Sequence, residues 1–211
     1  MIAALAVSAV PASLEATSAA PAAPAAPAAP DLPATPAVPA ARADVLVPSL
    51  HGLGVMTVMR GVETVLWPDP FAQARYFGDH YEEAFTRPPK FDARQPFMRW
   101  DGDSHLINVG GHALFGSELY LRARQCHLGW AGSLAFAAGA SAVWEYVFEA
   151  NGVRPSAQDL VYTPLAGLVL GEARYAVHRL AGGLDSKAAR RAVRAIVDPL
   201  GELERAAGTD C

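Results

Sequence analysis

The sequence predicts an all-α fold, a compact helical bundle of about four to five helices after a disordered Ala/Pro-rich N-terminal segment. Three observations predict it. Apolar residues recur at helical spacing through residues 49–67, and the apolar runs near residues 104–124, 129–150 and 156–180 have helical length. Residues that start and stop helices bracket those runs. No alternating apolar and polar stretch of useful strand length interrupts them.

The chain has 211 residues. Residues 1–18 read as a signal-like leader: IAALAVSAV supplies an apolar core and Ala16-Thr17-Ser18 a small-x-small end, although a basic start is missing. No lipobox cysteine follows that core, so an acylated anchor is not expected there. Residues 19–44 form an Ala/Pro-rich linker with repeated Ala-Ala-Pro units, too poor in apolar side chains to bury a core. Residues 45–211 are then expected to make one helical domain.

Within it, residues 49–67 place Val55, Val58, Met59, Val62, Val65 and Leu66 at helical period, and Pro68 stops the run. Residues 69–99 are rich in proline and aromatics and predict an irregular wrap with one short helix near residues 72–85. Asp103 or Ser104 suits the N-cap of the next helix. Pro155-Ser156 opens another, with Ser156 as N-cap and Asp159 at the capping-box position, and Gly182-Gly183 closes it. Asp185 or Ser186 caps a last helix with Ala192, Val193, Ile196 and Val197 facing inward and Lys187, Arg190, Arg191 and Arg194 outward. Close packing is expected at Gly116, at the pair Gly167 and Gly171, and along Ser133, Ala137 and Ser141, a stripe that Glu145 and Glu149 continue.

The formal net charge of −4, from 17 basic and 21 acidic residues, argues against a nucleic-acid partner. Two cysteines, Cys126 and Cys211, make neither a disulfide framework nor a metal knuckle; a single bridge between them is allowed but not implied.

A series of polar residues stands inside the apolar sequence between Trp100 and Glu172. Buried carboxylates and imidazoles are costly unless paired, hydrogen-bonded or metal-bound, so the series reads as a satisfied polar core or as a site. Asp101, His105, Asn108 and His112 would lie near one helix face. His105 and His112 are the candidate metal ligands, and a divalent metal is the cofactor that such an imidazole and carboxylate set admits. Glu145 and Glu149 are candidates to complete the set or to act as a general base. Asp101, Asp103, Asn108, His112, Glu145, Glu149, Asp159 and Glu172 are expected to form one polar cluster. No His-Glu-x-x-His and no Gly-x-Ser-x-Gly elbow is present.

Residues 100–175 resemble an uncharacterised bacterial family, domain of unknown function 3943. The residues that carry the resemblance are Asp101-x-Asp103, Asn108-x-x-x-His112, Gly116-Ser117 with Tyr120, and Ala123-Arg124. They continue through Ser141-x-x-Trp144-Glu145, Glu149, Pro155-Ser156-x-x-Asp159, Thr163, Gly167 and Gly171-Glu172. Ala113 departs from the family, which usually has proline there. The resemblance implies a bacterial cell-envelope location, periplasmic or membrane-associated, and supplies no activity. The leading expectation is a structural or accessory envelope protein with membrane lipid or another envelope protein as partner. The alternatives are a membrane-associated metal-dependent hydrolase using the same cluster, and a membrane-embedded helical scaffold.

Overall fold

The computed structural model describes residues 42–211. The expected leader, and all but the last residues of the linker, lie outside the described residues. Eight α-helices follow one another: α1 (Leu46–Leu66), α2 (Pro68–Phe71), α3 (Phe77–Thr86), α4 (His112–Gln125), α5 (Gly129–Val143), α6 (Ala157–Gly182), α7 (Lys187–Val197) and α8 (Pro199–Ala206). A 3₁₀ turn at Ala74–Tyr76 precedes α3, and π-helical segments at Leu106–Gly111 and Trp144–Phe148 lead into α4 and out of α5. No strand occurs among the described residues; one isolated bridge joins Lys90 to Ser156. The all-α expectation holds, with more helices than expected because the region after residue 67 and the C-terminus break into short pieces at Pro68 and Pro199.

The bundle is organised around α4, α5 and α6, which pack on one another most extensively. Met56, Phe115, Leu119, Tyr120, Ala137 and Trp144 form its apolar core. Glycine lets α4 and α6 approach to backbone contact: a Cβ on Gly167 would stand 2.6 Å from the carbonyl carbon and oxygen of Gly116, and one on Gly171 would stand 2.6 Å from Tyr120 Cδ1. The expected small-residue contacts are therefore real. Ser133, Ala137 and Ser141 are buried along α5 as one stripe. A disulfide joins Cys126, at the end of α4, to Cys211.

Two apolar faces depart from expectation. Much of the stripe on α1 points outward: Val58, Val62, Val65 and Leu66 are exposed, while His51, Gly52 and Met56 are buried. On α7, Ile196 was expected inside and is 80% exposed. That helix is amphipathic by sequence but packs at the periphery, with no buried residue of its own.

Candidate functional site

The two π segments and the start of α6 position the polar cluster. Asp101 lies in the turn before the first π segment. Its Oδ1 accepts from the Asp103 backbone N–H at 2.9 Å and from Asn108 Nδ2 at 2.8 Å. Its Oδ2 accepts from the Ser156 hydroxyl at 2.8 Å. Ser156 caps α6, its Oγ accepting from the Asp159 N–H at 3.2 Å as the sequence predicts. The reciprocal half of a capping box is taken by another residue: Ser156 N–H donates to Glu145 Oε2 at 2.7 Å, an acceptor from the neighbouring π segment. This frees the Asp159 carboxyl to face inward, where its Oδ2 lies 3.6 Å from His112 Nε2. His112 Nδ1 is held by Thr163 Oγ1 at 2.9 Å.

Asp101, Asn108, His112, Glu145 and Asp159 are all buried and meet between α4, α6 and the second π segment. Ligand atoms of His112, Glu145 and Asp159 lie within 4.8 Å of one another. A cavity of about 30 Å³ adjoins them, lined by Asp101, Asp103, Glu145, Glu149, Ser156 and Asp159 and edged by Lys90 and Arg154. Such a volume holds about one water or one ion. A larger cavity lies elsewhere: an apolar groove of about 610 Å³ between α1 and α8.

One candidate metal ligand and one expected member of the cluster are not there. His105 is exposed, its Nε2 sitting 2.8 Å from the Phe97 carbonyl. The physical reason is the wider turn of the π segment, which keeps Asn108 and His112 on the inner face and rotates His105 away from the α-helical position its spacing suggested. Glu172 lies farther along α6, accepting from the Tyr120 hydroxyl at 2.5 Å and from Arg124 at 2.6 Å. Asp103 stands exposed and Glu149 half-buried at the cavity. Sequence reasoning passed over Glu63 of α1, whose Oε2 is buried without a partner, and Lys90, which reaches the cavity through a segment remote in sequence.

The charges are unbalanced. Burial pushes the Glu145 carboxyl up to about 8, a rise that the Ser156 N–H only partly offsets. Burial, and then the hydrogen bond it shares with Asp101, push Asp159 up to about 9. Asp101 is also buried, but the hydrogen bonds from Asp159, the Asp103 N–H, Asn108 and Ser156 outweigh that and hold its carboxyl below the usual range. Burial raises Glu149 well above its ordinary value and Glu63 to about 7. Burial drives His112 down to about 4, against the pull of Asp101. At neutral pH His112 is therefore a neutral imidazole beside a protonated Asp159, and their approach is not an ion pair. With Nδ1–H donating to Thr163 Oγ1, the neutral imidazole would present its Nε2 lone pair, the form in which histidine ligates metals.

Residues 97–200 match the family model described as Domain of unknown function (DUF3943). No curated protein and no solved structure matches the chain. The matched stretch contains Asp101, Asn108, His112, Glu145, Ser156, Asp159 and Thr163, so every residue that builds the inner cluster belongs to it. Over residues 97–200 the chain is similar to this family of unknown function.

Proposed function

We propose that the protein is a structural or accessory component of the bacterial cell envelope, in which the polar cluster fixes the arrangement of helices and does not turn over a substrate. The observation that carries this reading is the sealing of the cluster. Asn108, Glu145 and Asp159 are 0%, 1% and 2% exposed. The adjoining cavity is about 30 Å³, whereas small-molecule sites generally occupy roughly 300–1,000 Å³. The partners come from the turn at Asp101, the two π segments, α4 and the start of α6, so the hydrogen bonds specify how those segments meet.

The Cys126–Cys211 disulfide supports the envelope part of the reading, because such bonds persist in oxidising compartments. The apolar groove between α1 and α8, lined by Val47, Leu50, Val55, Val58, Leu200 and Leu203, supports contact with lipid or with a partner protein. No helix among the described residues is long and apolar enough to cross a membrane. The membrane-embedded scaffold therefore has no spanning helix among them to rest on. The hydrolase reading draws on the approach of His112, Glu145 and Asp159 to within 4.8 Å, but it requires a substrate to reach them.

The test is fractionation of bacteria expressing the full chain, with thiol trapping before lysis. The expected result is protein in the envelope fraction with both cysteines oxidised. Free thiols on protein confined to the cytosol would overturn the location. Hydrolysis of ester or phosphoester substrates, abolished by Glu145→Gln in a variant that stays folded, would overturn the structural role.

A further inference from the structure

We infer that His112, Glu145 and Asp159 bind one divalent transition-metal ion of the Zn²⁺ class. The inference goes beyond the structural reading and holds wherever the protein resides.

Three observations carry it. The first is spacing. Zinc bonds of about 2.0–2.2 Å at tetrahedral angles separate neighbouring ligand atoms by about 3.4 Å. His112 Nε2 and Asp159 Oδ2 are 3.6 Å apart, too far for a good hydrogen bond and close to the separation that a shared ion imposes. The full set, within 4.8 Å, needs to contract by up to about 1.4 Å to close on a metal.

The second is an unpartnered acceptor. Glu145 is 1% exposed, yet its Oε1 has no hydrogen-bond partner. Its Oε2 is fixed by the Ser156 N–H at 2.7 Å, and the residue lines the small cavity. A buried acceptor held in place and left open is an expensive arrangement unless something fills it. A water would satisfy the hydrogen bond but would bring no charge. The cations nearest the cavity do not serve: Lys90 is exposed, and Arg154 is directed to Glu83 at 3.4 Å. Among the described residues, no Lys or Arg pairs with Asp101, Glu145, Glu149 or Asp159.

The third is orientation from outside the ligand set. Thr163 Oγ1 holds His112 Nδ1 at 2.9 Å, which turns Nε2 toward Asp159. Such supporting bonds accompany metal-bound histidines. One imidazole among carboxylates favours Zn²⁺ over the all-oxygen preference of Ca²⁺ and Mg²⁺.

The test uses the purified full-length chain, stripped with chelator and dialysed against Zn²⁺ alone. The expected result is one Zn²⁺ retained per chain and a higher melting temperature in its presence. Glu145→Gln keeps an acceptor for the Ser156 N–H and should fold. It and Asp159→Asn should each lose about tenfold or more in Zn²⁺ affinity. His105→Gln, at an exposed histidine outside the cluster, should bind as the wild type does. The inference is overturned if the folded wild type retains no Zn²⁺. It is equally overturned if both carboxamide variants bind with unchanged affinity, or if Ca²⁺ or Mg²⁺ is bound in preference to Zn²⁺.

Discussion

Two buried polar regions share this small bundle and resolve the same problem in opposite ways. One is the cluster around His112. The other joins α1, α4, α6 and α8 around His51. There, His51 lies 3.3 Å from Glu118 and 2.7 Å from Glu204. Arg174 meets Glu118 at 2.5 Å, and Arg122, 1% exposed, meets Glu204 at 2.7 Å. Burial alone would raise the Glu118 carboxyl, but His51 and Arg174 outweigh it and hold it below its ordinary value. In the His112 cluster carboxyls again stand beside an imidazole and are more deeply buried, but no arginine pairs with them, and those of Glu145 and Asp159 rise instead. Burial is common to both regions. Counter-charge is what separates them: the His51 network carries its own, and the His112 cluster is built to receive one.

Removing a cation from the balanced network should have the largest effect. Arg122→Ala leaves the partly exposed Glu204 carboxylate with His51 alone and removes a fully buried side chain, and should cost about 3 kcal/mol in urea unfolding. A loss below about 1 kcal/mol would mean that the pair is no more than a surface contact.

Next is the backbone contact that carries both regions. Gly167→Ala drives a methyl group into the Gly116 carbonyl, 2.6 Å away, and should cost about 3 kcal/mol. Gly139→Ala, with nothing within 4 Å of the added methyl, is the control. It should be neutral or mildly stabilising, by about 0.5–1 kcal/mol. Equal melting temperatures for the two variants would contradict the close approach of α4 and α6.

A smaller effect should follow pH. Burial lowers the His51 pKa, but the Glu118 and Glu204 carboxylates outweigh it, and the net shift is upward from 6.5. The folded state therefore holds the His51 proton more tightly than the unfolded chain does. The stability this supplies is fully present below pH 6.5 and is lost as pH rises through the raised value. Arg122 and Arg174 face the same carboxylates. The stability difference between wild type and His51→Gln should accordingly be largest near pH 6 and shrink toward pH 9. A difference that grows with pH would reverse the assignment.

How much of this is legible in the sequence follows from how local each feature is. Ser156 as the cap of α6, the stop after Leu66 and the contact of Gly116 with Gly167 depend on nearby residues or a single helix pairing, and periodicity reads them. Asp101, Asn108, His112, Glu145 and Asp159 stood out because charged and polar groups inside apolar sequence are conspicuous. α-Helical spacing groups His105 with them, which the π segment defeats, and Glu172 shares only their polarity in apolar sequence, while the length of α6 carries it away. The His51 network left no such trace. Its members, at positions 51, 118, 122, 174 and 204, come from four helices, and each alone resembles an ordinary solvated charge. The inner face of α1 was equally hidden, because its outward side is as apolar as its inward one.

The contrast in counter-charge is tested most directly by neutralising one carboxylate in each region of the chelator-treated protein and comparing melting temperatures by circular dichroism. Glu118→Gln removes a partner from Arg174 and His51 and should lower the melting temperature by about 5 °C or more. Glu145→Gln removes an acid that has no cation beside it and should leave the melting temperature unchanged or raise it. Equal losses in the two variants would contradict the account, because the His112 cluster would then already hold the counter-charge that it is argued to lack.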